Sequence, residues 1–145
     1  MEITTLEVKP QQGYPGYYLY PQQTVLEVRD GDTVRMTVGY SYRGPAKTLT
    51  LYGAIGVMAV YFDEKVNGSR QISLPESADW ITRSDYVDIV INTAQISPGS
   101  GYDIYAKMME GGSDLVISPT IYDVITVLSV EPEFQNFQIT DWTKV

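Results

Sequence analysis

Between Thr33 and Tyr42 the chain reads TVRMTVGYSY, and its apolar residues fall on every second position. Val34, Met36, Val38, Tyr40 and Tyr42 share one parity; Arg35, Thr37, Gly39 and Ser41 share the other. Successive side chains of a strand point to opposite faces, so this pattern predicts a strand with one packed face and one wet face. No segment carries a helical stripe over three turns, which makes the period of two the dominant signal.

Similar runs occur at EITTLEV, TVLEVR, KTLTLY, IGVMAVYF, RQISL, DYVDIVIN, YDIYAKMM and IYDVITVLSV, all rich in β-branched and aromatic residues. Turn signals separate them: Asp30-Gly31-Asp32, Arg43-Gly44-Pro45, Asn67-Gly68 and Gly111-Gly112. Asn-Gly supplies the positive φ angles of a two-residue hairpin turn, so FDEKVNGSRQISL is expected to form a hairpin. About nine strands with short connections and no crossover helix predict an all-β fold, an antiparallel β-sandwich.

The chain has 145 residues, 43% hydrophobic and 19% charged. That is the size and apolar content of a single domain. The sandwich is expected to occupy residues 24–130, with a tyrosine-rich N-terminal arm over 1–23 and a C-terminal arm over 131–145. Cysteine and histidine are both absent. Disulfide scaffolds, thiolate nucleophiles, histidine-based triads and zinc sites built on Cys or His are thereby excluded. The formal charge of −8, with Lys and Arg scattered singly, argues against nucleic acid or an anionic membrane as a partner. MEITTLEVKP lacks the basic start and apolar run of a secretory signal. A soluble chain is expected; an intracellular place, a virus particle and an extracellular surface all stay open as its location.

The stretch ISPGSGYDIYAKM, from Ile96 to Met108, resembles the E–F corner of immunoglobulin-like and fibronectin type III-like β-sandwich accessory domains. Ile96, Pro98, Gly99 and Tyr102 match the apolar residue, the turn and the tyrosine of that corner. Ile104, Ala106 and Met108 would face inward behind them. The resemblance implies that the Tyr102 hydroxyl bonds back to backbone near Ile96 to Gly99. VRDGDTVRMTVGYSYRG is similar to the A–B turn and B strand of such modules.

Catalysis by a carboxylate pair needs two acids about 5 to 10 Å apart. Asp85, Asp88, Asp103 and Asp123 lie on or beside strand runs, but Asp85 and Asp88 have opposite parity and would point to opposite faces. Solvated acids explain all four. Asp30, Asp32, Asp63, Glu64 and Asp79 sit in loops or strand ends where calcium could find oxygens, but none has the spacing of an EF-hand. Phosphate loops are absent. The expectation is therefore no enzyme, no metal and no cofactor.

Candidate contact residues are aromatic. GYPGYYLYPQQ puts Tyr14, Tyr17, Tyr18 and Tyr20 among Pro15, Gly16 and Pro21, so the stretch is extended or turning and its rings cannot all point inward. They are read as a flap over the core, a contact surface for another chain, or a stacking platform for sugars. Trp80, leading into ITRSDYVDIVIN, is the best further candidate for a platform. Two functions follow: a non-catalytic structural or assembly module binding other protein chains, including copies of itself, or a carbohydrate-binding accessory module with a glycan as partner. Segments Ile3 to Val8 and Phe134 to Trp142 alternate in polarity, and at least one is expected to add to a sheet edge.

Overall fold

In the computed structural model, which describes residues 2–8, 25–129, 131–132 and 134–145, the described residues form strands and no helix. The strands are β1 (Glu2–Val8), β2 (Leu26–Val28), β3 (Thr33–Gly44), β4 (Lys47–Met58), β5 (Phe62–Leu74), β6 (Ser77–Val90), β7 (Gly99–Glu110), β8 (Ser113–Ile117) and β9 (Ile121–Val127). They build two sheets. One has the order β1-β3-β6; the other runs β2-β9-β7-β4-β5, with β8 also paired to β7.

The period-two stretch is β3, and its five apolar residues are all buried while Arg35 and Thr37 are exposed. Val87 and Ile89 of β6 share this buried face. Leu49, Leu51 and Ile55 of β4 meet them from the second sheet, with Ala106 and Met108 of β7 and Ile125 and Val127 of β9. Each fully buried Val, Leu or Ile side chain contributes about 1.5–3 kcal/mol relative to exposure, so this shared face is the main favourable term of the fold. The sheets touch closely: a Cβ built on Gly53 of β4 would lie 2.8 Å from Val87 Cγ1 and 3.1 Å from Met36 Sδ.

Two sequence expectations are corrected. The Asn67-Gly68 hairpin does not form, because β5 runs unbroken from Phe62 to Leu74 and pairs with β4 on both sides of that dipeptide. Gly68 serves a close approach instead of a turn. A Cβ there would stand 2.0 Å from the Asp88 carbonyl oxygen, so glycine is what lets β5 lie against β6. The turn that reverses the chain is the apolar Ala59–Tyr61 tip between β4 and β5, closed by Ala59 N–H donating to the Tyr61 carbonyl at 3.0 Å.

The strand order is also mixed and not purely antiparallel. β2 runs parallel to β9, with Leu26 opposite Ile125 and Val28 opposite Val127. Alternation fixes which face a residue takes and is silent on the direction of its neighbour. Of the two segments of which at least one was expected to add to a sheet edge, one does. No strand forms among the described residues 131–132 and 134–145, whereas Glu2–Val8 does add to the edge of β3.

β8 and β9 lie along the same side of β7 and are interrupted at Ser118 to Thr120. Buried Ser118 repairs the break: its Oγ accepts from Ala106 N–H at 2.9 Å, and its own N–H donates to the Ala106 carbonyl at 2.8 Å. A second irregularity follows at Asp123, whose φ is 56°. There the buried Asp103 carboxylate accepts from the N–H of Asp123 and of Met58, both at 2.8 Å. Side chains thus replace the ladder bonds that the irregular strand gives up.

Candidate functional site

Of the five contact residues read from the sequence, Tyr14, Tyr17, Tyr18 and Tyr20 lie outside the described residues. Trp80 lies on β6 and is 40% exposed, on the parity opposite to the core residues Val87 and Ile89. The Arg43 guanidinium stands 4.4 Å from the centre of its ring. One face of Trp80 is therefore engaged by a cation, which removes that face from stacking on a ligand.

The same outward face of β3 and β6 carries Tyr86, with Arg35 at 3.8 Å and Arg70 at 4.1 Å from its ring centre. Arg35 grips Asp88 with two bonds, Nε to Oδ1 at 2.9 Å and a second guanidinium nitrogen to Oδ2 at 3.1 Å. That bond holds the Asp88 carboxyl below its ordinary range. Asp85, one turn of the pleat away, faces the interior, where it accepts from the Tyr40 hydroxyl at 2.6 Å. Arg83 Nε is 3.6 Å from the same carboxylate oxygen, an ion pair rather than a hydrogen bond. Burial, then the bond to Asp85, pushes the Tyr40 hydroxyl far above the usual phenol range.

The other acids are engaged in local structure. Asp30 accepts from the backbone and hydroxyl of Thr93, and Asp32 accepts from Arg29 N–H at 2.7 Å, closing the turn before β3. Glu64 accepts from the Tyr52 hydroxyl at 2.5 Å and from Asn67 at 2.7 Å on the outer face of the larger sheet. Lys107 stands 5.0 Å from the Tyr52 ring and pairs with Asp114 at 3.1 Å. Among the described residues no group of three or more acids is placed to hold a metal ion. Asp85 and Asp88 point to opposite faces, and Asp103 is spent on two backbone N–H groups.

Two apolar surfaces stand out instead, beside the exposed Val60 and Tyr61 of the β4–β5 tip. Phe134, Phe137, Ile139 and Trp142 are between 79% and 90% exposed. The Phe134 and Phe137 rings lie 6.1 Å apart and tilted against each other. The second surface is the β2–β9–β8 side of the larger sheet, where Val25, Leu26, Leu115, Ile117 and Tyr122 are all exposed. The sequence offers Phe134 to Trp142 as one of two candidate edge strands and does not single out the second surface. Leu115 and Ile117 alternate within SDLVI, a signal that reads the same for a packed and an exposed strand.

Among the described residues no helix is long and apolar enough to cross a membrane. No protein-family model matches the chain. The search of curated proteins returned no significant match.

Proposed function

We propose that this chain is a non-catalytic structural or assembly module that works through protein–protein contacts. The observation that carries this reading is the C-terminal segment, where four large apolar side chains stand almost fully exposed within nine residues. Scattered exposed apolar residues are ordinary, but a contiguous run of them marks a contact surface. A particle or a surface layer is the kind of structure in which such a segment finds its cover. The engagement of Asp30, Asp32, Asp85, Asp88 and Asp103 in structural bonds supports the non-catalytic part of the reading.

An immunoglobulin-like sandwich is the fold type we assign to it. Lettering β1, β3, β4, β6, β7 and β9 as A, B, C, E, F and G puts A, B and E in one sheet and C, F and G in the other, as in that architecture. The Tyr102 hydroxyl donates to the Ser97 carbonyl at 2.6 Å, which matches the tyrosine corner.

The test is light scattering over a concentration series, run beside a glycan array. The assembly reading expects mass to rise with concentration and to return to the monomer when Phe134, Phe137, Ile139 and Trp142 are changed to Ser. A chain that stays monomeric throughout and labels a glycan through Trp80 overturns it in favour of the carbohydrate-binding module.

A further inference from the structure

We propose that Asn67 is a site of spontaneous modification that β5 keeps closed: paired in the strand it is inert, and whenever β5 opens it cyclises with Gly68 and leaves an isoaspartyl residue that the strand cannot take back. The inference goes beyond the assembly reading and does not depend on it.

Asn67-Gly68 is the single Asn-Gly pair of the sequence. In such a pair the Gly68 amide nitrogen attacks the Asn67 side-chain carbonyl carbon, ammonia leaves, and a five-membered succinimide closes. Glycine favours this step because no Cβ shields the attacking nitrogen. Water then opens the ring at one of its two carbonyls. Opening at the side-chain carbonyl gives ordinary aspartate; opening at the main-chain carbonyl gives isoaspartate, whose backbone runs through the side chain and is one methylene longer. The sum is amide plus water giving carboxylate plus ammonium, and nothing is oxidised or reduced.

Ring closure brings the Asn67 Cβ and the Gly68 nitrogen to the same side of the Cα–C bond that lies between them. A paired strand holds ψ near about +135°, which leaves the two roughly 100° apart about that bond. The ring is barred for as long as β5 stays paired. Pairing is continuous here, with Asn67 opposite Ala54 and Gly68 opposite Gly53 of β4 in a strand that runs from Phe62 to Leu74. The side chain is also tethered, because its Nδ2 donates to Glu64 at 2.7 Å. Asn67 is exposed, so what restrains it is conformation and not lack of water.

The isoaspartyl product does not fit back. Gly68 is the residue whose missing side chain admits the Asp88 carbonyl, since a Cβ there would stand 2.0 Å from its oxygen. An extra methylene just before Gly68 takes that residue out of step with both β4 and β6. Either product also replaces the amide that donates to Glu64 with a second carboxylate, so a 2.7 Å bond becomes a like-charge contact. Reclosing of the strand outpaces the chemistry, so the rate follows the population of open β5.

Rates of reaction at Asn67 test this. The folded chain, the chain in guanidinium chloride and a synthetic peptide of residues 62–74 with and without guanidinium chloride are incubated at one mildly alkaline pH, and Asn67 is followed by peptide mapping. The denatured chain should react as fast as the peptide, and the folded chain about tenfold more slowly or less, with a rate that climbs as guanidinium chloride approaches the unfolding transition. Chain aged in denaturant should refold only in its unreacted and aspartyl fractions. Asn67→Gln, whose longer side chain would have to close a six-membered ring, should keep its refolding yield over the same time. If freshly denatured chain does not refold, the isoaspartyl fraction that forms in the folded chain must melt below the rest.

A folded chain that reacts as fast as the peptide overturns the protection by β5. Isoaspartyl chain that refolds and melts like untreated chain, or Asn67→Gln that loses its yield as fast as the natural sequence, overturns the irreversible step. None of these outcomes turns on self-association, so the assembly reading stands or falls separately.

Discussion

The hydroxyl of Tyr102, at the start of β7, donates to the carbonyl of Ser97 five residues upstream at 2.6 Å. This bond ties the first turn of β7 to the crossing from β6, directly after buried Ile96. The Ser97 carbonyl is exposed, so water replaces the lost donor when the hydroxyl is removed. Tyr102→Phe should therefore cost only the net value of one hydrogen bond, about 0.5–1.5 kcal/mol. Urea denaturation checks this; a midpoint unchanged within error would mean that the bond does not hold the corner.

Gly68 supports a stronger prediction. Its missing Cβ leaves room for the Asp88 carbonyl, and backbone cannot swing aside as a flexible side chain can. Gly68→Ala should destabilise by about 1–3 kcal/mol through overpacking. Gly112→Ala is the control: a Cβ there meets nothing within 4 Å, and its cost should stay within about 0.5 kcal/mol. Equal midpoints for the two variants would show that β5 and β6 are not held in this contact.

These two residues show how far the sequence could be read. The Tyr102 corner was legible because a Pro-Gly turn, a tyrosine and an alternating strand lie within one short stretch, and every partner of the bond is local. Gly68 was not. Asn-Gly is a turn signal only if nothing distant needs the glycine, and the need here comes from Asp88, twenty residues away in another strand. The true turn at Ala59–Tyr61 was hidden for the opposite reason, since MAVYF contains none of the residues that announce a turn.

Faces were more legible than neighbours. The parity of β3 placed its five buried residues correctly because one side of the strand meets the core and the other meets water. The same parity gave no warning that β2 would run parallel to β9. Alternation at Phe137 and Ile139 suggested a strand, but a strand needs a partner for its backbone, and among the described residues this segment has none in a ladder. The exposed margin at Leu115 and Ile117 follows from which side of β7 β8 occupies, a fact of topology rather than of composition.

The Arg35–Asp88 pair makes a prediction in acid. The bond to Arg35 is the largest cause lowering the Asp88 carboxyl, so folding favours its charged form. A depressed folded value means that the pair's contribution is present above the unfolded carboxyl range and is lost as pH falls through the folded one. The Arg35 side chain is 58% and the Asp88 side chain 37% exposed, so solvent screens the pair and the effect is local. An NMR titration of the Asp88 carboxyl should give a midpoint below the usual aspartate value of about 3.9, and Arg35→Ala should raise it towards that value. An Asp88 midpoint that does not move in Arg35→Ala would show that the two groups are not paired in solution.

Tyr40 predicts the behaviour in alkali. Its ring is buried among the core residues and its hydroxyl bonds Asp85, so removing the phenol proton would place two negative oxygens side by side at the edge of the core. Burial and that bond raise the folded value, and a raised value means stability that is complete below the unfolded phenol range and lost as pH rises through the folded one. Denaturant midpoints should therefore fall above about pH 10, where the unfolded phenol begins to ionise. Tyr40→Phe should cost about 1.5–3 kcal/mol at neutral pH, the value of a bond to a charged acceptor, while losing less stability between neutral and alkaline conditions than the unmodified chain. If both chains lose stability equally above that pH, Tyr40 does not carry the alkaline limb, and Tyr52, which burial and its bond to Glu64 shift in the same direction, becomes the residue to change next.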